Sequence, residues 1–331
     1  MNSKNLITRG GLLAVLAAVA ALAAVPAASQ AATTQGCVPA SNIEAIIDDS
    51  GSMASEDPDK FRTALLDAFA NLGQQNGKIL GAIEFGTSPS VLFAPGTIPG
   101  IIPAMQFSFL QVDANNGGTD YQEAFASASS LNSTATARIF LTDGAPDSYP
   151  TSHLSPKIKT YVVGIGDFAA TASGSSTLTQ IAAETGGPLP FLVQDSSQVQ
   201  PVAGAISAAI NCKTPPLTFT KTFTKQGEQV TYGFKPDGST ADILISWNSA
   251  TSILDPRQFT VASVGKKGRK GSASLATLLR KGKAKVRATE KKGATFATVS
   301  LRGLKKGKKI KFKVKAAQLS IPTITTTQII K

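Results

Sequence analysis

Histidine and tryptophan each occur once in the 331 residues, cysteine occurs twice, and aromatic side chains make up 6% of the chain. These shortages remove several chemistries together. A serine hydrolase needs a base, yet His153 lies in a loop-like run, Tyr149-Pro150-Thr151-Ser152-His153, and no G-x-S-x-G elbow occurs. One histidine and two cysteines cannot build a zinc site of the usual composition. The absence of a phosphate-binding loop argues against an ATP-driven chelatase-like subunit. We therefore expect no enzymatic activity.

Long apolar runs are scarce too. One extends from Gly11 to Val25, preceded by Lys4 and Arg9 and followed by Ser29-Gln30-Ala31, whose small residues suit a signal peptidase. Residues 1–31 read as a signal peptide, with an uncleaved anchor as the alternative, since the run is shorter than the roughly 20 residues that span a bilayer. No later segment is long and apolar enough to span, and no sortase-type motif occurs, so a secreted or cell-surface location is expected. Export to an oxidising compartment then makes a Cys37–Cys212 disulfide the natural pairing, against two unpaired buried thiols.

Acidic residues are rare in the second half. Residues 1–212 hold 8 Lys and Arg against 16 Asp and Glu, a net −8, whereas residues 213–331 hold 25 against 5, a net +20. With the break beside Thr214-Pro215-Pro216, this divides the mature chain into domains 32–212 and 213–331.

Within the acidic part, Ile43 to Asp48, Ile79 to Phe85, Arg138 to Thr142 and Thr160 to Ile165 read as strands buried on both faces. Helical spacing separates them. Asp57-Pro58 offers an N-cap and first-turn proline ahead of Phe61, Leu65, Ala68 and Leu72; Tyr121, Phe125, Ala128 and Leu131 form a second set; Leu178, Ile181, Ala182 and Thr185 before Gly186 form a third. Strands alternating with helices imply an α/β, mostly parallel sheet. Beyond Cys212, Ile243, Ile245 and Trp247 alternate with Leu244 and Ser246, and Lys309 to Lys315 alternates lysine with Ile310, Phe312 and Val314. Short strands and Lys-Gly turns suggest a small all-β sandwich, with one weak helical stretch around Ser274 to Leu279.

The first strand ends in Asp48-Asp49-Ser50-Gly51-Ser52-Met53. Ligands of open parallel sheets bind at the carboxyl ends of strands, where this D-x-S-x-S loop falls. Its hydroxyls and carboxylate are the hard oxygen donors that Mg²⁺ prefers. Gly117-Gly118-Thr119-Asp120 and Leu141-Thr142-Asp143-Gly144 are two further loops able to complete such a site, although each loop alone also suits a helix cap or turn.

Together, in this order, the three loops resemble the von Willebrand factor type A domain with its metal-ion-dependent adhesion site, over about residues 40 to 211. Tyr161-Val162-Val163-Gly164-Ile165-Gly166 and Ile181-Ala182-Ala183-Glu184-Thr185-Gly186-Gly187 resemble the family's late strand and penultimate helix. The resemblance implies a doubly wound six-stranded sheet and a metal held by Asp48, Ser50, Ser52, Thr119 and Asp143. Asp49 falls on a variable position and is not counted as a ligand; Asp120 is a candidate tuning group. The ion expected is Mg²⁺, with Mn²⁺ or Ca²⁺ as alternatives. Two aspartates and three neutral hydroxyls would leave it electrophilic toward an Asp or Glu carboxylate on a protein or peptide partner. The function implied is cation-dependent adhesion.

The basic half supports an alternative, a polyanion-binding envelope protein with a structural metal site. Lys309, Lys311, Lys313 and Lys315 should line one strand face at roughly 7 Å intervals, beside Lys266-Lys267-Gly268-Arg269-Lys270, Arg280-Lys281-Gly282-Lys283 and Lys305-Lys306-Gly307-Lys308-Lys309. Anionic wall polymers, acidic glycans or lipid surfaces are the expected partners. Nucleic acid is not, since no aromatics interleave with the lysines. A solvated face that keeps a small β domain soluble and its strand edges unpaired, or docking of the acidic domain on the basic one, within or between molecules, remain open readings. Trp247 is read as core.

Overall fold

The computed structural model describes residues 37–247, 260–264, 270–274, 284–288, 296–316, 319 and 323–331. The leader segment 1–31 lies outside the described residues, as do 275–279 of the weak helical stretch; Ser274 ends a strand.

Seven consecutive buried residues make β1 (Asn42–Asp48) the centre of the first sheet, because a parallel strand covered on both faces has no solvent side to mark with polar residues. β2 (Ile79–Phe85) and β4 (Ala137–Thr142) flank it in parallel, with Ile46 opposite Ile83 and Phe140. β5 (Lys159–Ile165) and β6 (Phe191–Val193) continue the parallel set, and β3 (Ser90–Thr97) closes the other edge antiparallel, giving the order β3-β2-β1-β4-β5-β6.

Helices cover both faces. Short α1 (Met53–Glu56) leads into α2 (Phe61–Ala70), which with α3 (Ile102–Ser108) and α6 (Ser196–Ile210) packs on Ile43, Ala45 and Ile47. On the opposite face, α4 (Tyr121–Leu131) and α5 (Ala172–Glu184) pack on Ile46, Phe140 and Val162. The expected six-stranded doubly wound sheet is present. One expectation fails locally: Asp57-Pro58 does not open α2. Asp57 terminates α1, and α2 starts after Lys60 in the left-handed conformation (φ 54°). That turn brings the Asp57 carboxylate back to accept from the Phe61 and Arg62 amides at 2.5 and 3.1 Å, so it still satisfies the helix start from further upstream.

After Cys212 the described strands all pair antiparallel. β7 (Leu217–Phe223), β9 (Thr240–Trp247), β12 (Ala284–Ala288), β13 (Phe296–Arg302) and β15 (Thr323–Ile330) form a five-stranded sheet, ordered β12-β13-β9-β15-β7. β8 (Gln229–Phe234), β10 (Thr260–Val264), β11 (Lys270–Ser274) and β14 (Ile310–Lys315) form a second, ordered β11-β10-β14-β8. Phe223, Phe234, Ile243, Trp247, Val299, Phe312 and Ile329 share the core of this region.

The alternation read along β9 does not produce an exposed face. Leu244 and Ser246 are buried like Ile243 and Ile245, because the outer face of this sheet lies on α6. Leu72, Ala208, Leu244 and Ile330 form a small apolar cluster there. Polar contacts surround it: Ser246 Oγ donates to the Ser197 carbonyl at 2.9 Å, and Asp242 accepts from the Ser300 hydroxyl at 2.5 Å and the Gly73 amide at 3.4 Å. Among the described residues no ion pair crosses this contact. Cys37 and Cys212 are disulfide-bonded, with Cα atoms 5.8 Å apart, joining the segment before β1 to the end of α6.

Candidate functional site

The carboxyl ends of β1 and β4 are neighbours in the sheet, so Asp48 at the end of one and Asp143 just past the other arrive at the same edge. The loop after β1 folds on itself: the Ser50 amide donates to Asp48 Oδ1 at 2.9 Å, and the Ser50 and Ser52 hydroxyls lie 3.1 Å apart. The β4 end is tied in by Thr142, whose hydroxyl donates to Asp48 Oδ2 at 2.5 Å and lies 2.6 Å from the Tyr121 hydroxyl.

The loop carrying Thr119 is held against the first by backbone contacts. Gly51 N donates to the Gly117 carbonyl at 2.9 Å, and Asn116 N to the Asp49 carbonyl at 3.0 Å. Gly86 is what permits this crossing, since a Cβ there would collide with the Asn116 carbonyl. Thr119 itself is fixed by Asp147, whose Oδ2 accepts from the Thr119 amide at 2.7 Å while its amide donates to the Thr119 carbonyl at 2.8 Å. Asp48, Ser50, Ser52 and Asp143 are thus in mutual electrostatic or hydrogen-bond contact. Thr119 joins them through its loop, and its side chain makes no hydrogen bond to the other four.

Charge is unbalanced at this edge. Asp48 is fully buried, and its carboxyl is pushed up to about 7, first by burial and further by the nearby Asp143. Burial also lifts Asp143, with the Ser52 hydroxyl acting in the opposite direction. Asp143 Oδ2 is buried without a hydrogen-bond partner. Arg62, the buried guanidinium of this region, is committed elsewhere, to Asp49 at 3.1 Å and Asp57 at 2.8 Å. Asp49 also accepts from the Ala114 amide at 2.7 Å. Asp120 is the N-cap of α4, accepting from Glu123 N at 3.0 Å and the Ser148 hydroxyl at 2.5 Å.

Two buried carboxylates with no cation paired to them among the described residues, one oxygen orphaned, and the Ser50 and Ser52 hydroxyls form an all-oxygen donor set of the kind that fits a hard divalent ion. Among the described residues no cluster of three or more His, Cys, Asp or Glu resembles a metal site, and the set here contains only two carboxylates. Thr142 and Asp147 were not singled out from sequence. Thr142 precedes Asp143 on the same strand, a signal available in Leu141-Thr142-Asp143, whereas Asp147 carries no local pattern.

No protein-family model and no curated protein matches the chain. Among solved structures, a von Willebrand factor type A protein from Catenulispora acidiphila is 14% identical with a TM-score of 0.42, covering 85% of this chain, which spans 59% of that one. The pilus adhesin SpaC from Lactobacillus rhamnosus GG, in one of its crystal forms, is 15% identical with a TM-score of 0.42, covering 84% of this chain and 40% of the adhesin. Manganese-loaded TRAP protein from Plasmodium vivax is 16% identical with a TM-score of 0.35, covering 46% of this chain and 68% of that one. Scores at this level carry neither family nor function across to this chain. Among the described residues no helix is long and apolar enough to cross a membrane.

Proposed function

We propose that this chain is an exported adhesion-type protein, not an enzyme, that captures a carboxylate of a protein or peptide partner through a divalent cation. The observation that supports this most is the pair of buried carboxylates at the sheet's carboxyl edge, uncompensated by any cation among the described residues and in contact with the Ser50, Ser52 and Thr142 hydroxyls. Asp48, Ser50, Ser52, Thr119 and Asp143 would hold the ion, which is Mg²⁺ in the first instance and Mn²⁺ or Ca²⁺ as substitutes. When bound, the ion supplies an electrophilic centre for an incoming acidic oxygen.

The protein's own part is to hold the donors in place. The Ser50 amide and Thr142 hydroxyl occupy one oxygen each of Asp48, fixing the carboxylate's plane. Asp147 fixes the backbone of Thr119 from both sides. Three neutral hydroxyls contribute oxygen without charge, so two aspartates leave a dication its electrophilic character.

Titration calorimetry with Mg²⁺ and Mn²⁺ tests the site, and capture of partners from the producing cell's surface with and without chelator tests the function. Uptake of about one ion per chain, abolished by Asp48→Ala, and chelator-sensitive capture are expected. Absence of uptake at millimolar metal would remove the proposal.

A further inference from the structure

Two bland explanations exist for the lysine row on β14: a solvated face that keeps the domain soluble, and a charged edge that blocks strand pairing. The sheet order removes the second. β14 is an interior strand, paired on one side with β8 and on the other with β10. Its alternate residues Ile310, Phe312 and Val314 are buried in the core, which fixes the strand's rotation and turns Lys311 and Lys313 outward as exposed side chains, with Lys315 half-buried and Lys309 exposed just ahead of the strand.

Successive side chains on one strand face repeat at about 6.8 Å, so the four ammonium groups span about 20 Å in a line. Their flank on β8 carries no charge: Gly233 lies opposite Lys311, Thr231 opposite Lys313 and Gln229 opposite Lys315. The Lys309 stem lies over Gly233, its Cε 3.4 Å from where a Cβ would sit, an ordinary contact. Lys313 Nζ reaches Gln229 Oε1 at 3.4 Å. Among the described residues none of the four is ion-paired; the pair found in this region is Lys221 with Glu228. Aligned like charges repel, and the long Lys313 contact to the neutral Gln229 does not neutralise them.

We propose that this row is a binding track for a linear phosphodiester polymer of the cell envelope. A file of charge along one strand, beside the uncharged β8 flank, matches a chain of phosphates better than the two-dimensional field of a membrane. Lysine serves phosphate as a point charge, and the row holds no arginine fork. The β8 flank offers no aromatic platform for bases or sugar rings.

The test uses the full mature chain and poly(glycerol phosphate), followed by fluorescence anisotropy. Binding should weaken steeply between about 50 and about 200 mM salt, as expected when several anions are neutralised together. Lys311→Gln with Lys313→Gln should weaken it by about thirtyfold, and Lys→Arg at the same positions should retain it. Lys157→Gln with Lys159→Gln, exposed in the first region and equal in charge change, should have little effect. Asp48→Ala should bind the polymer like the parent, which separates this track from the metal proposal. Equal losses in the ladder and control variants would reduce the effect to overall charge and overturn the proposal. So would tighter binding to polygalacturonate or to phosphatidylglycerol vesicles than to the polymer.

Discussion

Above the ordinary carboxylate value of 3.8, Asp48 and Asp143 oppose folding when no cation is near them, since each carboxyl is buried and raised. Replacing one therefore has opposite consequences with and without metal. In chelator, Asp143→Asn should be at least as stable as the parent, because it removes one of two adjacent buried charges. In Mg²⁺ at about 100 times the dissociation constant, the parent should gain about 2.7 kcal/mol and the variant almost none. Thermal unfolding with and without metal reads both. Glu44 gives a second prediction at the other end of β1. It is fully buried, both its oxygens lack hydrogen-bond partners, and burial pushes it up to about 8 despite Asn132 and Arg138 nearby. A folded value above the unfolded 4.5 means the native state holds the proton more tightly. Its ionisation thus removes stability as pH rises from about 4.5 to 8, by on the order of 5 kcal/mol at most. Glu44→Gln should flatten that slope, and unfolding at pH 5 and pH 8 for both proteins measures it. The candidate ligands were legible because their spacing is local within each loop. Glu44 was not, because nothing in an apolar run tells whether its one carboxylate finds a partner.

At the scale of elements, the long buried runs of β1, β2, β4 and β5 announced themselves. β3 and β6 did not: β3 is half exposed on the sheet edge, and β6 is three residues long. α6 was also missed, and its sequence explains why. It buries residues on several sides, including Val199, Gln200, Val202, Ala203, Gly204, Ile206 and Ser207, so no clean stripe marks it. It is wedged between the first sheet and the face of β9 and β15. Gly204 makes this closeness possible, since a Cβ there would lie 2.5 Å from Gln328 Oε1 and 3.3 Å from both Leu244 Cδ2 and Ile330 Cδ1. Gly204→Leu should therefore overpack the contact and cost about 1–3 kcal/mol, despite leucine's better helix propensity. Denaturant unfolding checks the sign: a gain in stability would mean the helix and the second sheet are not packed as described.

For the whole molecule, one covalent link closes a loop that holds every element of the first region. Cys37 and Cys212 are separated by 175 residues, for which the chain-entropy model gives about 5 kcal/mol as an upper figure. The same end of α6 is held by hydrogen bonds, with the Ala40 amide donating to the Ile210 carbonyl at 3.0 Å, so the disulfide reinforces a contact already made. Because α6 belongs to both cores, loosening its end should be felt on both sides. Replacing both cysteines by serine should lower stability by about 2–5 kcal/mol, and the first region and the all-β region should still unfold together in calorimetry. Two separated transitions in the variant would instead mean that the interface along α6 is too weak to couple them, leaving the disulfide as what makes the parent unfold as one body.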